Sequence, residues 1–228
     1  MKKKNLLSFT AAVALVGVIG VGATLAYFTD NQEVSNIITV GHVDIMLTEN
    51  NVTLGKDENG KRVWIQDKSV EGITEEGIIF QGALPGDTIP KNPTVTIKDD
   101  SEDAYIRVKL DFVPTSDNGI DEDSLKILAD RLYADIVEAG VWNRNGGYLY
   151  YPTRLTATDA VTVFEQVKIP GSWDNVTADK SFTINITAEA IQAENVEDII
   201  TTDVNGKVIG WDLGTGPDAI QIEQYPVQ

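Results

Sequence analysis

Histidine is scarce in this chain: His42 is the only one among 228 residues, and cysteine is absent. A zinc hydrolase of the H-E-x-x-H kind needs two imidazoles one helical turn apart and a glutamate base, which one histidine cannot supply. A Ser–His–Asp triad would have to use His42, which lies in a strand-like run with no nucleophile elbow beside it. Without thiols there is no disulfide framework and no cysteine nucleophile. No catalytic residue and no cofactor are therefore expected.

Carboxylates are abundant instead, with 35 Asp and Glu against 18 Lys and Arg. Asp99, Asp100, Glu102 and Asp103 crowd one turn, and Asp117, Asp121, Glu122 and Asp123 crowd another. Calcium favours such oxygen-rich loops, and Asp117, Asp121 and Asp123 are the candidates for it. Neither stretch has D-x-[DN]-x-[DN]-G spacing with a glutamate at the twelfth position, so solvated acidic loops are the default. Carboxylate pairs for glycoside hydrolysis are defined by separation in space, and nothing along the chain selects one pair. Trp142, Tyr148, Tyr150 and Tyr151 flank a turn at 143–147. Exposed, these rings would stack on sugars or a partner chain; otherwise they pair across strands and stabilise a hairpin. Leu84-Pro85-Gly86-Asp87-Thr88 superficially resembles a cell-wall sorting motif but lies mid-chain, and reads as a turn.

The elements that would position these groups alternate with period two. In AYIRVKLDF, Ile106, Val108, Leu110 and Phe112 point one way while Tyr105, Arg107, Lys109 and Asp111 point the other. SFTINITAEA repeats the pattern, with Phe182, Ile184, Ile186, Ala188 and Ala190 set against polar residues that include Glu189. Each predicts a strand with one face on a core and one in water. IITVGHVDIML, RVWIQ, GIIF, TVTIK, GYLYY and AVTVFEQVKI are further strands, punctuated by Asn59-Gly60, Pro85-Gly86-Asp87, Asn145-Gly146-Gly147, Pro170-Gly171 and Asn205-Gly206. So many short strands predict an all-β sandwich of two antiparallel sheets. One amphipathic helix is inserted at about 121–139, where Leu125, Leu128, Leu132 and Ile136 recur at helical steps, acids crowd the start and Gly140 follows the end. After Asn205 a hairpin, DVNGKVIGWDL, leads into an end expected to be loose over 206–228.

The start reads as an export signal. Lys2, Lys3 and Lys4 precede a chargeless run rich in Leu, Val, Ala and Gly, and Thr24 with Ala26 supplies the small residues of a peptidase site. The expected signal peptide is a helix over 1–26, cut between Ala26 and Tyr27, leaving one domain over 27–228; uncleaved, it would be the chain's only membrane contact. Its removal takes three basic residues and no acid from a chain whose net charge is already −17. Such acidity repels nucleic acid and anionic headgroups and suits a secreted protein, in the extracellular matrix or at the cell surface.

The junction ATLAYFTD, the following strand IITVGHVDI, and LPGDTIPKNPTVTIKDDSEDAYIRVKL together resemble the exported TasA/camelysin family of Gram-positive bacteria. WNRNGGYLYY, FEQVKIP and FTINITAEAIQAEN extend the resemblance over most of the chain. It implies a jelly-roll-like sandwich whose leader is removed by a SipW-type signal peptidase and whose subunits polymerise into biofilm-matrix fibres, alone or with an accessory matrix subunit. In such fibres the new N-terminal segment of one subunit completes a neighbour's sheet. Here the donor arm would be 27–36, with Tyr27, Phe28, Thr29, Asp30 and Val34 making the contact. The alternative is a monomeric cell-surface module that binds a glycan or a host protein through exposed aromatics. The family also carries a metallopeptidase label, for which a single histidine offers no visible zinc site.

Overall fold

The computed structural model describes residues 43–72, 83–115, 119–173, 177, 180–215, 222 and 224–226. In chain order these form β1 (Ile45–Lys56), β2 (Arg62–Gly72), β3 (Thr88–Pro90), β4 (Thr94–Ile97), β5 (Ala104–Pro114), α1 (Glu122–Glu138), β6 (Asn143–Asn145), β7 (Tyr148–Tyr150), β8 (Ala160–Thr162), β9 (Gln166–Lys168), β10 (Phe182–Gln192), β11 (Ile200–Thr202), β12 (Val208–Trp211) and β13 (Gln224–Pro226). A four-stranded sheet runs β2-β1-β4-β8 and a five-stranded one β13-β10-β5-β7-β6; β3-β9 and β11-β12 are separate ribbons. The paired strands are antiparallel, so the described residues form the expected all-β class with one helix. Among the described residues no helix is long and apolar enough to cross a membrane.

The longest pairing joins β5 to β10, from Phe182 opposite Pro114 to Gln192 opposite Ala104. On its inner face Ile106, Val108 and Leu110 lie opposite Ala190, Ala188 and Ile186. One buried cluster takes these side chains together with Ile45 and Leu47 of β1, Val95 and Ile97 of β4, and Leu128, Leu132 and Ile136 of α1. The helix forms as its sequence predicts. Asp121 Oδ1 accepts the Ser124 N–H at 2.9 Å as N-cap, Glu122 and Asp123 face the positive end of the dipole, and Gly140 takes φ +74° after the last turn. Its Tyr133 hydroxyl donates to Leu110 O at 3.2 Å and ties the helix to β5.

Two expectations need correction. AVTVFEQVKI is two strands: β8 pairs with β4 and β9 with β3. Val163 and Phe164 are adjacent, both apolar and both buried, and there the chain leaves β4, to which Val163 N still donates at Pro93 O, for the β3 side, where Glu165 O accepts from Lys91 N. Of the segment IITVGHVDIML, residues 37–42 lie outside the described residues, and the strand begins at Ile45 and runs to Lys56, with Glu49 continuing the inward positions of Ile45 and Leu47. GIIF lies outside the described residues. The turns fall where expected. Asp57 Oδ1 accepts from Asn59 N and Lys61 N, and Asp203 Oδ1 from Asn205 N and Lys207 N. Within 206–228, Val208–Trp211 forms the expected hairpin with β11, and Gln224–Pro226 pairs with β10.

Candidate functional site

An open groove of 530 Å³ runs between the second half of α1 and the β8–β9 segment. Leu132 and Ile136 from the helix, with Val161, Val163 and Phe164 from the strands, make its walls apolar. Trp142 is buried beside it and donates Nε1–H to Thr162 O at 3.0 Å, which fixes the α1–β6 connection against β8. Lys168 Nζ reaches Asp135 at 2.9 Å at the rim, where Glu138 and Glu165 add negative charge.

Among the described residues the strand beside this groove, β8, ends its sheet. Ile97 N donates to Asp159 O, Val163 N donates to Pro93 O, and Val161 lies opposite Val95, so positions 159, 161 and 163 spend their backbone groups on the β4 side. By the two-residue period of an antiparallel ladder, Ala160 and Thr162 turn theirs away from β4, toward the groove, where Trp142 Nε1–H already takes the Thr162 carbonyl and the Thr162 N–H points the same way. An apolar trough along such an edge is shaped to receive an extended segment, by main-chain hydrogen bonds and alternate side-chain pockets.

Among the described residues two ion pairs are buried elsewhere. Glu49 of β1 and Lys91, just past β3, leave only 1% and 4% of their side chains exposed, with Lys91 Nζ 2.6 Å from Glu49 Oε1. Burial pushes the Glu49 carboxyl up and the Lys91 ammonium down, each held back by its partner's charge and hydrogen bonds. Arg107 of β5 lies directly opposite Glu189 of β10 and donates Nε–H to it. The guanidinium lies 4.0 Å from the Tyr148 ring centre and 4.7 Å from that of Trp211, and Trp211 meets Tyr150 edge-to-face at 5.9 Å. The sequence assigns Arg107 and Glu189 to a watery face, yet both are buried. The reason is the β11–β12 hairpin. Asn143 Nδ2 donates to Val208 O and Asn145 Nδ2 to Ile209 O, which draws the hairpin over that face.

The residues expected to act fare unevenly. Ala26, Tyr27, Phe28, Thr29, Asp30, Val34, His42 and Asp117 lie outside the described residues. Asp121 is the helix cap: the Ser124 backbone N–H, and next its hydroxyl, lower its pKa. Asp123 sits in the first helical turn. Among the described residues no three metal-binding side chains come together. Of the aromatics, Trp142 and Tyr150 are buried, and Trp142 meets Tyr151 edge-to-face at 5.6 Å. Sequence reasoning missed Glu49 and Lys91. The one available signal was parity, since Glu49 follows Ile45 and Leu47 at two-residue steps. Compared with family models, curated proteins and solved structures, the chain finds no match in any of the three.

Proposed function

We propose that the chain is an exported structural protein of the extracellular matrix, whose subunits join into fibres by strand donation after the leader is removed. In this reading the two large sheets face each other as a jelly-roll-like sandwich, which the single core cluster drawn from both supports. The observation that carries the assembly step is the groove beside β8, where a strand that among the described residues is paired on one side only borders an apolar trough. Residues 27–36 of a neighbouring copy are the donor, with Tyr27 and Phe28 as anchors, Thr29 and Asp30 following, and Val34 filling a further pocket. Cleavage between Ala26 and Tyr27 by a SipW-type signal peptidase creates the donor outside the cell. The binding-module reading has less support, because Trp142 and Tyr150 are turned into the body.

Charge sets a condition on assembly. Copies this acidic repel one another, so fibre formation rises with ionic strength as salt screens them. The test is negative-stain electron microscopy of protein beginning at Tyr27, beside the same protein lacking 27–34. Fibres from the first and single particles from the second are expected. Equal assembly by both overturns strand donation.

A further inference from the structure

The Glu49–Lys91 contact brings together the two reactants of an amide, in a place where burial disfavours the charged form of each. Neighbouring residues hold the two segments beside each other. Asn50 N donates to Asn92 Oδ1 at 3.1 Å, Asn92 Nδ2 donates back to Asn50 Oδ1, and Lys91 N donates to Glu165 O at 3.0 Å. Glu49 points inward beyond Ile45 and Leu47, and Lys91 Nζ faces both of its carboxyl oxygens. Leu47 of β1 and Val95 and Ile97 of β4 belong to the buried apolar cluster.

We propose that Glu49 and Lys91 condense to an intramolecular isopeptide bond. The lone pair of the uncharged Lys91 Nζ attacks Cδ of the protonated Glu49 carboxyl. The bond from Cδ to the hydroxyl oxygen breaks, and that hydroxyl takes one proton from the nitrogen and leaves as water. A secondary amide remains, and no oxidant or energy source is consumed.

In bulk water this reaction fails because carboxylate and ammonium are ionised and dilute. Here burial favours the uncharged form of each. Fixed segments also supply proximity, which for well-oriented groups corresponds to effective concentrations on the order of 10⁵–10⁸ M. The water released leaves a site that is nearly solvent-free, so the reverse reaction lacks its reactant. The product closes a loop between residues 42 positions apart and gives a cysteine-free chain the covalent staple that exported proteins otherwise obtain from disulfides.

Mass spectrometry of the purified full chain decides the matter. The expected result is a chain one water lighter than its sequence requires, with the Glu49 and Lys91 peptides recovered as one branched product after trypsin. Lys91→Met restores the full sequence mass. Glu49→Leu/Lys91→Met does the same without stranding a buried charge, so the control does not depend on the single variant folding. A wild-type chain at full mass, with Glu49 and Lys91 in separate peptides, overturns the proposal.

Discussion

The two buried ion pairs are built from similar parts and have opposite chemistry. Glu49 and Lys91 meet on the inner side of the four-stranded sheet, beside aliphatic side chains, and the cation is an amine that can give up its proton. Arg107 and Glu189 meet on the outer side of the five-stranded sheet, beneath a hairpin, and the cation is a guanidinium that stays charged. Aromatic faces of Tyr148 and Trp211 offset part of its lost hydration. A buried ion pair therefore has two settings in one molecule. Arg107 has rings and a cross-strand carboxylate around it, whereas at Glu49 and Lys91 burial disfavours the charged form of each partner, the condition on which the proposed condensation rests.

The largest expected effect comes from breaking the inner pair by half. Lys91→Met leaves Glu49 buried and alone, and should lower unfolding free energy by about 3–5 kcal/mol in a denaturant titration. Glu49→Leu/Lys91→Met should regain the part due to the stranded charge. What stays lost measures the covalent link. The outer pair should respond differently to a change that keeps its charge. Arg107→Lys loses the planar stack between Tyr148 and Trp211, with an expected cost of about 1–2 kcal/mol. A loss as large as that of Lys91→Met would erase the distinction between the two sites.

A third, less buried pair sharpens the contrast through pH. Burial alone would raise the Asp87 pKa, but hydrogen bonds from Trp64 Nε1 and Leu84 N and the ion pair with Arg62 hold it below the ordinary carboxylate value. A depressed native pKa means that the unfolded chain binds the proton more tightly. The contribution of Asp87 is thus complete above the ordinary carboxylate pKa and vanishes as pH falls through the depressed one. Asp87→Asn should cost about 1–3 kcal/mol at neutral pH and flatten the acid limb of the stability profile. The smallest effect is expected from Asp121→Ala, which removes an exposed helix cap. It should lower the melting temperature slightly and leave calcium titrations unchanged. A calcium-dependent shift that the substitution abolishes would restore Asp121 as a ligand.

How much of this was legible in the sequence depends on the range of the forces involved. Alternation in β5 and β10, the Asn-Gly and Asp-led turns and the α1 cap are local, and the structure has them where the sequence puts them. The split of β8 from β9 was readable in principle, since Val163 and Phe164 break the period. The burial of Arg107 and Glu189 was not, because it depends on a hairpin that follows far along the chain and on two asparagine side chains that hold it. The groove beside β8 is likewise a product of helix, turn and strand edge together, with no motif of its own.

The most direct test of the assembly account removes one hydrogen-bond donor from the groove edge. Thr162→Pro deletes an N–H that faces away from β4, a place where an edge strand tolerates proline, although the Thr162 hydroxyl contact with Thr94 is also lost. Sedimentation of protein beginning at Tyr27, with and without Thr162→Pro, should show polymers for the first and monomers for the second, at nearly equal melting temperature. Polymers of the same size from both would contradict strand donation at β8.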